Sequence, residues 1–183
     1  MVTFVATAFE EKYDAHVFIG SLLCQKNPNW RAIIYANGHN QYISSLIGNI
    51  PDERITYRFS MENTGYWGCF NRIKALEEVN TEYVVQTSIQ DYYLPNAVGE
   101  ILSDNEDLIF WNSLHNHFDW ELLNTKLKIN HIDWGCFAIK TELAKKVEIR
   151  IPNQAHADGQ FVEDSLLAKP TLRKIEKTLT IHN

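Results

Sequence analysis

The sequence predicts a single α/β domain, with a mainly parallel central sheet and helices on both faces. Three observations carry this. Runs rich in Val, Ile, Ala and aromatics alternate with segments of helical apolar spacing through the first half of the chain. The first run, Val2–Phe9 (VTFVATAF), is almost continuously apolar or β-branched, as befits a strand covered on both faces. No repeat, low-complexity tract or linker interrupts the 183 residues, a length that suits one domain with a substantial core.

The elements follow in order. Ala15, Phe18, Ile19, Leu22 and Leu23 have helical spacing, and Asn27-Pro28-Asn29 ends that helix. Trp30–Tyr35 is a second strand, with a turn at Asn37-Gly38. Gln41–Ile47 is a short helix and Ile55–Phe59 a third strand. Cys69–Val79 is helical, with Phe70, Ile73 and Leu76 near one face. Tyr83–Thr87 is a fourth strand, which runs into a loop carrying Asp91, and Pro95 then opens a helix to Leu102. Leu108–Trp111 is another strand. The second half is less regular. It reads as a helical stretch around Trp120–Leu127, a strand at Asp133–Lys140 and a helix capped by Thr141. A polar loop at 151–159, a helix at Gln160–Lys169 stopped by Pro170, and a last strand at Thr178–His182 follow.

Composition narrows the function. Net charge is −6, and no Lys/Arg-rich run is present, which argues against a nucleic-acid surface. Lys145-Lys146 and Arg173-Lys174 read as solvated charge. The three cysteines, Cys24, Cys69 and Cys136, sit in apolar company and form no CxxC pair. They read as buried free thiols of a reducing compartment, not a structural zinc site. No basic, apolar leader is evident, and no apolar run approaches the roughly 20 residues of a membrane span. The expectation is a soluble cytoplasmic protein.

Several polar residues fall near predicted element ends. Asp91 follows the fourth strand, Asp158-Gly159 and Glu163-Asp164 flank a late helix, and His182 ends the last strand. In an open parallel sheet, ligands bind beyond the carboxyl ends of strands. Gathered there, such residues would supply a metal site and a general base. His115 and His117, two apart, share one face if extended, but they read better as a polar connection.

At this point the chain resembles the nucleotide-sugar-dependent glycosyltransferases of the GT-A (Rossmann-like) fold, particularly family 2. VTFVATAF followed by SLLCQKNPNWRAIIYANGHN resembles that family's opening strand, helix and second strand. ENTGYWGCFNRIKALEEVNTEYVVQTSIQDYYLP resembles its Asn-Arg helix, strand, acidic loop and proline. DWGCFAIKTELAKKV resembles the acceptor-side strand and helix, and ADGQFVEDSLLAK the late Glu-Asp motif. The resemblance spans nearly the whole chain, as one catalytic domain with a nucleotide-sugar half over about residues 1–95 and an acceptor half beyond. Two departures stand out. Ala36-Asn37 occupies the place of two aspartates, and the acidic loop reads Ser88-Ile89-Gln90-Asp91, so that only Asp91 is charged.

The resemblance implies an inverting transfer of sugar from a nucleotide-diphosphate donor to a hydroxyl acceptor such as a glycan. Asp91 and His182 would bind Mn²⁺ or Mg²⁺. Thr7, Phe9, Asn37, Arg72, Gln90 and Asp91 would border the nucleotide. Asp164 would be the base, with Asp158 the competing carboxylate. Trp134, Gly135 and Glu163 would face the sugar or acceptor. A chain this short leaves little for the acceptor, so a homodimer or a larger polypeptide would complete that side. Two other readings stay open: a non-catalytic nucleotide-sugar or glycan-binding module, and a sugar-phosphate nucleotidyltransferase. The second is weakened by the lack of glycine in ATAFEEKYD after the first strand.

Overall fold

The computed structural model describes residues 1–9, 14–61, 65–116, 119–150 and 156–183, leaving aside the side chain of Trp67. His117 lies outside them, as do residues 10–13, 62–64, 118 and 151–155. The strands are β1 (Val2–Ala8), β2 (Trp30–Asn37), β3 (Ile55–Ser60), β4 (Tyr83–Ser88), β5 (Asp91–Tyr93), β6 (Leu108–His115), β7 (Glu121–Leu123), β8 (Phe137–Lys140) and β9 (Leu172–His182). The helices are α1 (Asp14–Leu23), α2 (Gln41–Gly48), α3 (Cys69–Glu78), α4 (Ala97–Ile101), α5 (Thr141–Ala144) and α6 (Ala157–Leu166).

All the described strands join one sheet in the order β3-β2-β1-β4-β8-β6-β9-β5, with β7 beside β6. The β3-β2-β1-β4 half is parallel throughout. β8 runs antiparallel between β4 and β6, and β5 runs antiparallel to β9. The sheet is therefore mixed, with one parallel half. β1 is buried because both its faces are covered. Phe4 and Ala6 pack under Phe18 of α1, Ile43 of α2 and Ile101 of α4. Val5 packs on the opposite face with Leu76 of α3, Ala144 of α5 and Phe161 of α6. Period-2 alternation along one strand thus feeds two cores, each built from the apolar stripes of helices.

Local chemistry sets several boundaries. Asn40 caps α2, its Oδ1 accepting the Ile43 N–H at 3.1 Å. Gly68 precedes α3 at φ +75, and a Cβ there would come 2.9 Å from the Thr7 side chain, so glycine is required twice over. Among the described residues, no helix is long and apolar enough to cross a membrane.

The structure corrects several sequence expectations. Helix α6 begins at Ala157, so Asp158 lies in its first turn and not in a loop, and β9 begins at Leu172, not Thr178. Asp91 does not sit in a loop but opens strand β5, because the chain turns back at once to pair with β9. The stretch around Trp120–Leu127 is not helical: Asp119 and Trp120 take positive φ, and β7 forms a hairpin with β6. The strand expected at Asp133–Lys140 begins only at Phe137, after a 3₁₀ turn at Trp134–Cys136. Thr141 makes no capping bond; it is the first residue of α5. Cys24 is exposed, since it follows α1 on the solvent side.

Candidate active site

The site is assembled by sheet register. β5 pairs Asp91 with His182 of β9, and β6 pairs His115 with the same His182. Three strands thus set Asp91, His182 and His115 in one row. Asp91 Oδ1 meets His182 Nδ1 at 2.6 Å, and the imidazoles of His182 and His115 stack with centroids 4.3 Å apart. Asp133, just before the 3₁₀ turn, brings Oδ2 to 2.7 Å from His115 Nε2. One ligand atom from each of His115, Asp133 and His182 lies within 4.8 Å of the others.

Asp91 is only 1% exposed, and the protein occupies both its oxygens. Oδ2 accepts the Thr87 hydroxyl and, at 2.9 Å, the Ser88 N–H. Thr87 in turn accepts the Tyr93 hydroxyl at 2.7 Å. Gly135 closes the remaining side: a Cβ there would lie 2.6 Å from Asp91 Oδ2. The Gly135 carbonyl accepts the Thr180 hydroxyl at 3.0 Å, and Thr180 accepts the Trp111 indole N–H at 2.8 Å. Thr87, Tyr93, Thr180, Trp111 and the Gly135 carbonyl are thereby tied into hydrogen-bonded chains under the row.

Arg72 lies beneath, 4% exposed, donating to the Thr87 carbonyl at 2.7 Å with its guanidinium 5.0 Å from the centre of the Trp134 ring. Glu78, further along α3, pairs with Arg58 of β3 at 3.0 Å. Burial depresses the Arg72 pKa, while the charges of Asp133, Asp91 and Asp158 oppose that shift. Arg72 is thus a buried cation within electrostatic reach of three acidic residues.

Asp158 occupies the first turn of α6, where its carboxyl feels the charges of Asp133 and Arg72. Burial, with the added repulsion of Asp133, pushes its carboxyl up to about 7. Burial also works against ionisation of Asp133, but the His115 hydrogen bond and the charges of His182, His115 and Arg72 outweigh it, holding Asp133 below the usual range. For His182, burial disfavours the charged ring, and the Asp91 hydrogen bond with the charges of Asp91 and Asp133 more than offsets this, raising its pKa. Asp164 stands elsewhere. It pairs with the half-exposed Arg150 at 2.9 Å and accepts from Gln160. Glu163 accepts the Ile129 N–H at 3.0 Å, fastening that loop to α6.

On the parallel side, Thr7 and Ser88 are register partners at the carboxyl ends of β1 and β4. Phe9, Asn37, His39, Asn40, Tyr42 and Ser45 line an open cleft of about 900 Å³ beside them, a volume in the range of ligand sites. Gln90 donates its N–H to the Ser88 hydroxyl at 3.3 Å, so the loop is tied to itself.

No family model matches the sequence, and no curated protein matches it. Solved structures do. Residues 1–349 of TarS from S. aureus superpose with a TM-score of 0.80 at 11% identity, covering 100% of this chain and 60% of that one. The same protein in complex with UDP-GlcNAc gives 0.80 at 11% identity, over 98% and 57%. A mannosyltransferase from Pyrobaculum calidifontis, in complex with GDP-Man and Mn²⁺, gives 0.75 at 13% identity, over 99% and 56%.

The fold is the GT-A fold. The chain spans about 60% of the TarS fragment, or 36% of a longer TarS structure. Within this GT-A domain the structure joins Asp91 to His182 and sets Asp158 near Arg72, while Asp164 and Glu163 lie on other faces of α6. Trp134 packs against Phe161 and Phe137, with ring centroids 5.4 and 6.0 Å away. Sequence reasoning passed over Asp133 altogether and set His115 aside. The one signal for Asp133 was its place next to Trp134-Gly135; nothing local linked it to His115.

Proposed function

We propose that this domain transfers a sugar from a nucleotide-diphosphate donor to a hydroxyl acceptor, with inversion at the anomeric carbon and with a divalent cation, Mn²⁺ or Mg²⁺. The observation that carries the reading is Asp158. It is a carboxyl poised at about 7 beside Arg72 and Asp133, on a GT-A scaffold. A general base works best with a pKa near the operating pH.

In this reading the nucleoside lies in the cleft of Phe9 and Asn37, with Thr7 and Gln90 at its phosphate end. The acceptor approaches from the second half of the chain. A second subunit or further polypeptide would complete that side. The acceptor oxygen attacks the anomeric carbon as the bond from that carbon to the diphosphate breaks on the opposite face. Asp158 takes the hydroxyl proton. Arg72, from beneath, favours the anionic leaving group through its fixed charge. The donor set near His182 suits a cation that would neutralise the diphosphate as a Lewis acid.

The test is release of nucleoside diphosphate from a panel of nucleotide sugars with Mn²⁺, with and without acceptor glycans. Turnover that Asp158→Asn abolishes supports the transferase. Donor binding with no turnover under any pairing supports a binding module instead. Pyrophosphate released from a nucleoside triphosphate and a sugar phosphate supports the nucleotidyltransferase.

A further inference from the structure

We infer that the cation site consists of His115, Asp133 and His182, a set of two imidazoles and one carboxylate that selects Mn²⁺, Co²⁺ or Zn²⁺ over Mg²⁺, and that Asp91 acts behind it by fixing His182. What the cation would do there rests on the proposed function; its binding does not.

The geometry favours these three donors. First-row cations bind nitrogen and oxygen at about 2.1 Å, so neighbouring ligand atoms in such a shell sit roughly 3 Å apart. His115 Nε2 and Asp133 Oδ2 are 2.7 Å apart, and the full set lies within 4.8 Å. To share one cation, the stacked imidazoles of His115 and His182 must turn so that a nitrogen of each faces it, drawing the donor set together. The paired strands hold both imidazoles in place from opposite sides of the β6–β9 ladder.

Asp91 does not suit direct ligation. Thr87 and Ser88 hold its Oδ2, His182 holds its Oδ1, and the Gly135 backbone walls it in. What its bond to Nδ1 does is orient the ring. The nitrogen turned to the cluster is then Nε2, and a carboxylate behind an imidazole makes that nitrogen a better ligand. Ser88 offers only a hydroxyl, which accepts the Gln90 backbone N–H within the same loop, and Gln90 offers an uncharged amide in place of a carboxylate. The hard-oxygen donors that Mg²⁺ requires are therefore few, whereas imidazole nitrogen suits the later first-row metals.

The experiment is Mn²⁺ binding to the chelator-stripped full chain, followed by electron paramagnetic resonance. One ion per chain is expected, retained against a large excess of Mg²⁺. His115→Ala and Asp133→Asn should each weaken binding tenfold or more, and Asp91→Asn by about 10–100-fold, the usual cost of losing such a supporting carboxylate. Ser88→Ala should leave the affinity unchanged. The wild-type chain provides a readout that needs no variant to fold: Mn²⁺ should broaden the imidazole NMR signals of His115 and His182 before those of His16, His39, His131 and His156. Ready displacement by Mg²⁺, wild-type affinity in His115→Ala, or broadening of other histidines first overturns the inference. Mn²⁺ bound at this set with no sugar transfer sinks the transferase and leaves the site standing. Sugar transfer undiminished in chelator, with no Mn²⁺ bound, does the reverse.

Discussion

Asp91 and His182 are register partners across β5 and β9, and their side chains close that pairing with a 2.6 Å bond from Nδ1 to Oδ1. A backbone ladder and a charged hydrogen bond thus fix the same contact. The pairing joins the end of the parallel half of the sheet to its last strand. It makes the site sensitive to changes in either residue.

Asp91→Asn keeps the shape but removes the charge facing a buried ring. Breaking a buried pair from one side costs about 3–5 kcal/mol, and a surviving amide contact should reduce this to about 2–3 kcal/mol by urea unfolding. The pH dependence has a definite sign. The folded pKa of His182 is raised, so the pair's contribution is full below the unfolded value of about 6.5 and fades as pH rises through the folded value. The deficit of the variant should therefore be largest in acid and narrow at alkaline pH.

Asp158→Asn should lower turnover by about 10²–10⁴-fold, the usual contribution of a positioned base. Donor affinity measured by calorimetry should change little. Asp164→Asn loses only the pair with the half-exposed Arg150, worth about 0–1 kcal/mol, and should stay near wild type in turnover. A larger loss for Asp164 than for Asp158 would reverse the assignment of the base.

Turnover should rise with pH through a midpoint near 7, where the Asp158 carboxyl ionises. Stability should move the other way. A carboxyl whose folded pKa is raised favours the fold below its unfolded pKa, and that contribution is lost as pH climbs to the folded value. Asp158→Asn should therefore gain on wild type by about 1–3 kcal/mol at about pH 8, with the gain fading toward about pH 4. Paired thermal melts across that range test it.

Gly135→Ala should destabilise the chain by about 1–3 kcal/mol through overpacking, because its Cβ would press 2.6 Å from Asp91 Oδ2. Gly99→Ala in α4 meets nothing within 4 Å and should be neutral or stabilising by up to about 1 kcal/mol. Thermal melts of the two variants separate steric exclusion from backbone entropy.

Much of the parallel half was legible in sequence. Val2–Phe9, Trp30–Tyr35, Ile55–Phe59 and Tyr83–Thr87 are short apolar runs separated by helical spacing, and each became a strand in the expected order. The second half was harder. The Trp120–Leu127 stretch carries a helix-like pattern, but hairpin pairing with β6 and the positive φ of Asp119 and Trp120 override it. Asp158 was read in a loop. Its place in the first turn of a helix, where the dipole favours a carboxylate, shows only once α6 is seen to begin at Ala157.

The sequence by itself determined the layered α/β architecture, because apolar periodicity reports which faces each segment must bury. It also exposed part of the chemical inventory of the site: Asp91, Asp158, Arg72 and His182 were visible as chemistry-bearing residues, whereas Asp133 and the role of His115 were not. Which of them meet was decided only by the tertiary structure. Between Trp111 and Ser113, β6 spans what Ile175 to Thr180 spans on β9, through two irregularities in the ladder. Without them the register from Trp111 and Ile175 would set Leu179 opposite His115, and an apolar side chain would stand in place of an imidazole. A slip of an odd number of residues exchanges the two faces of a strand, and no local pattern in the chain records it.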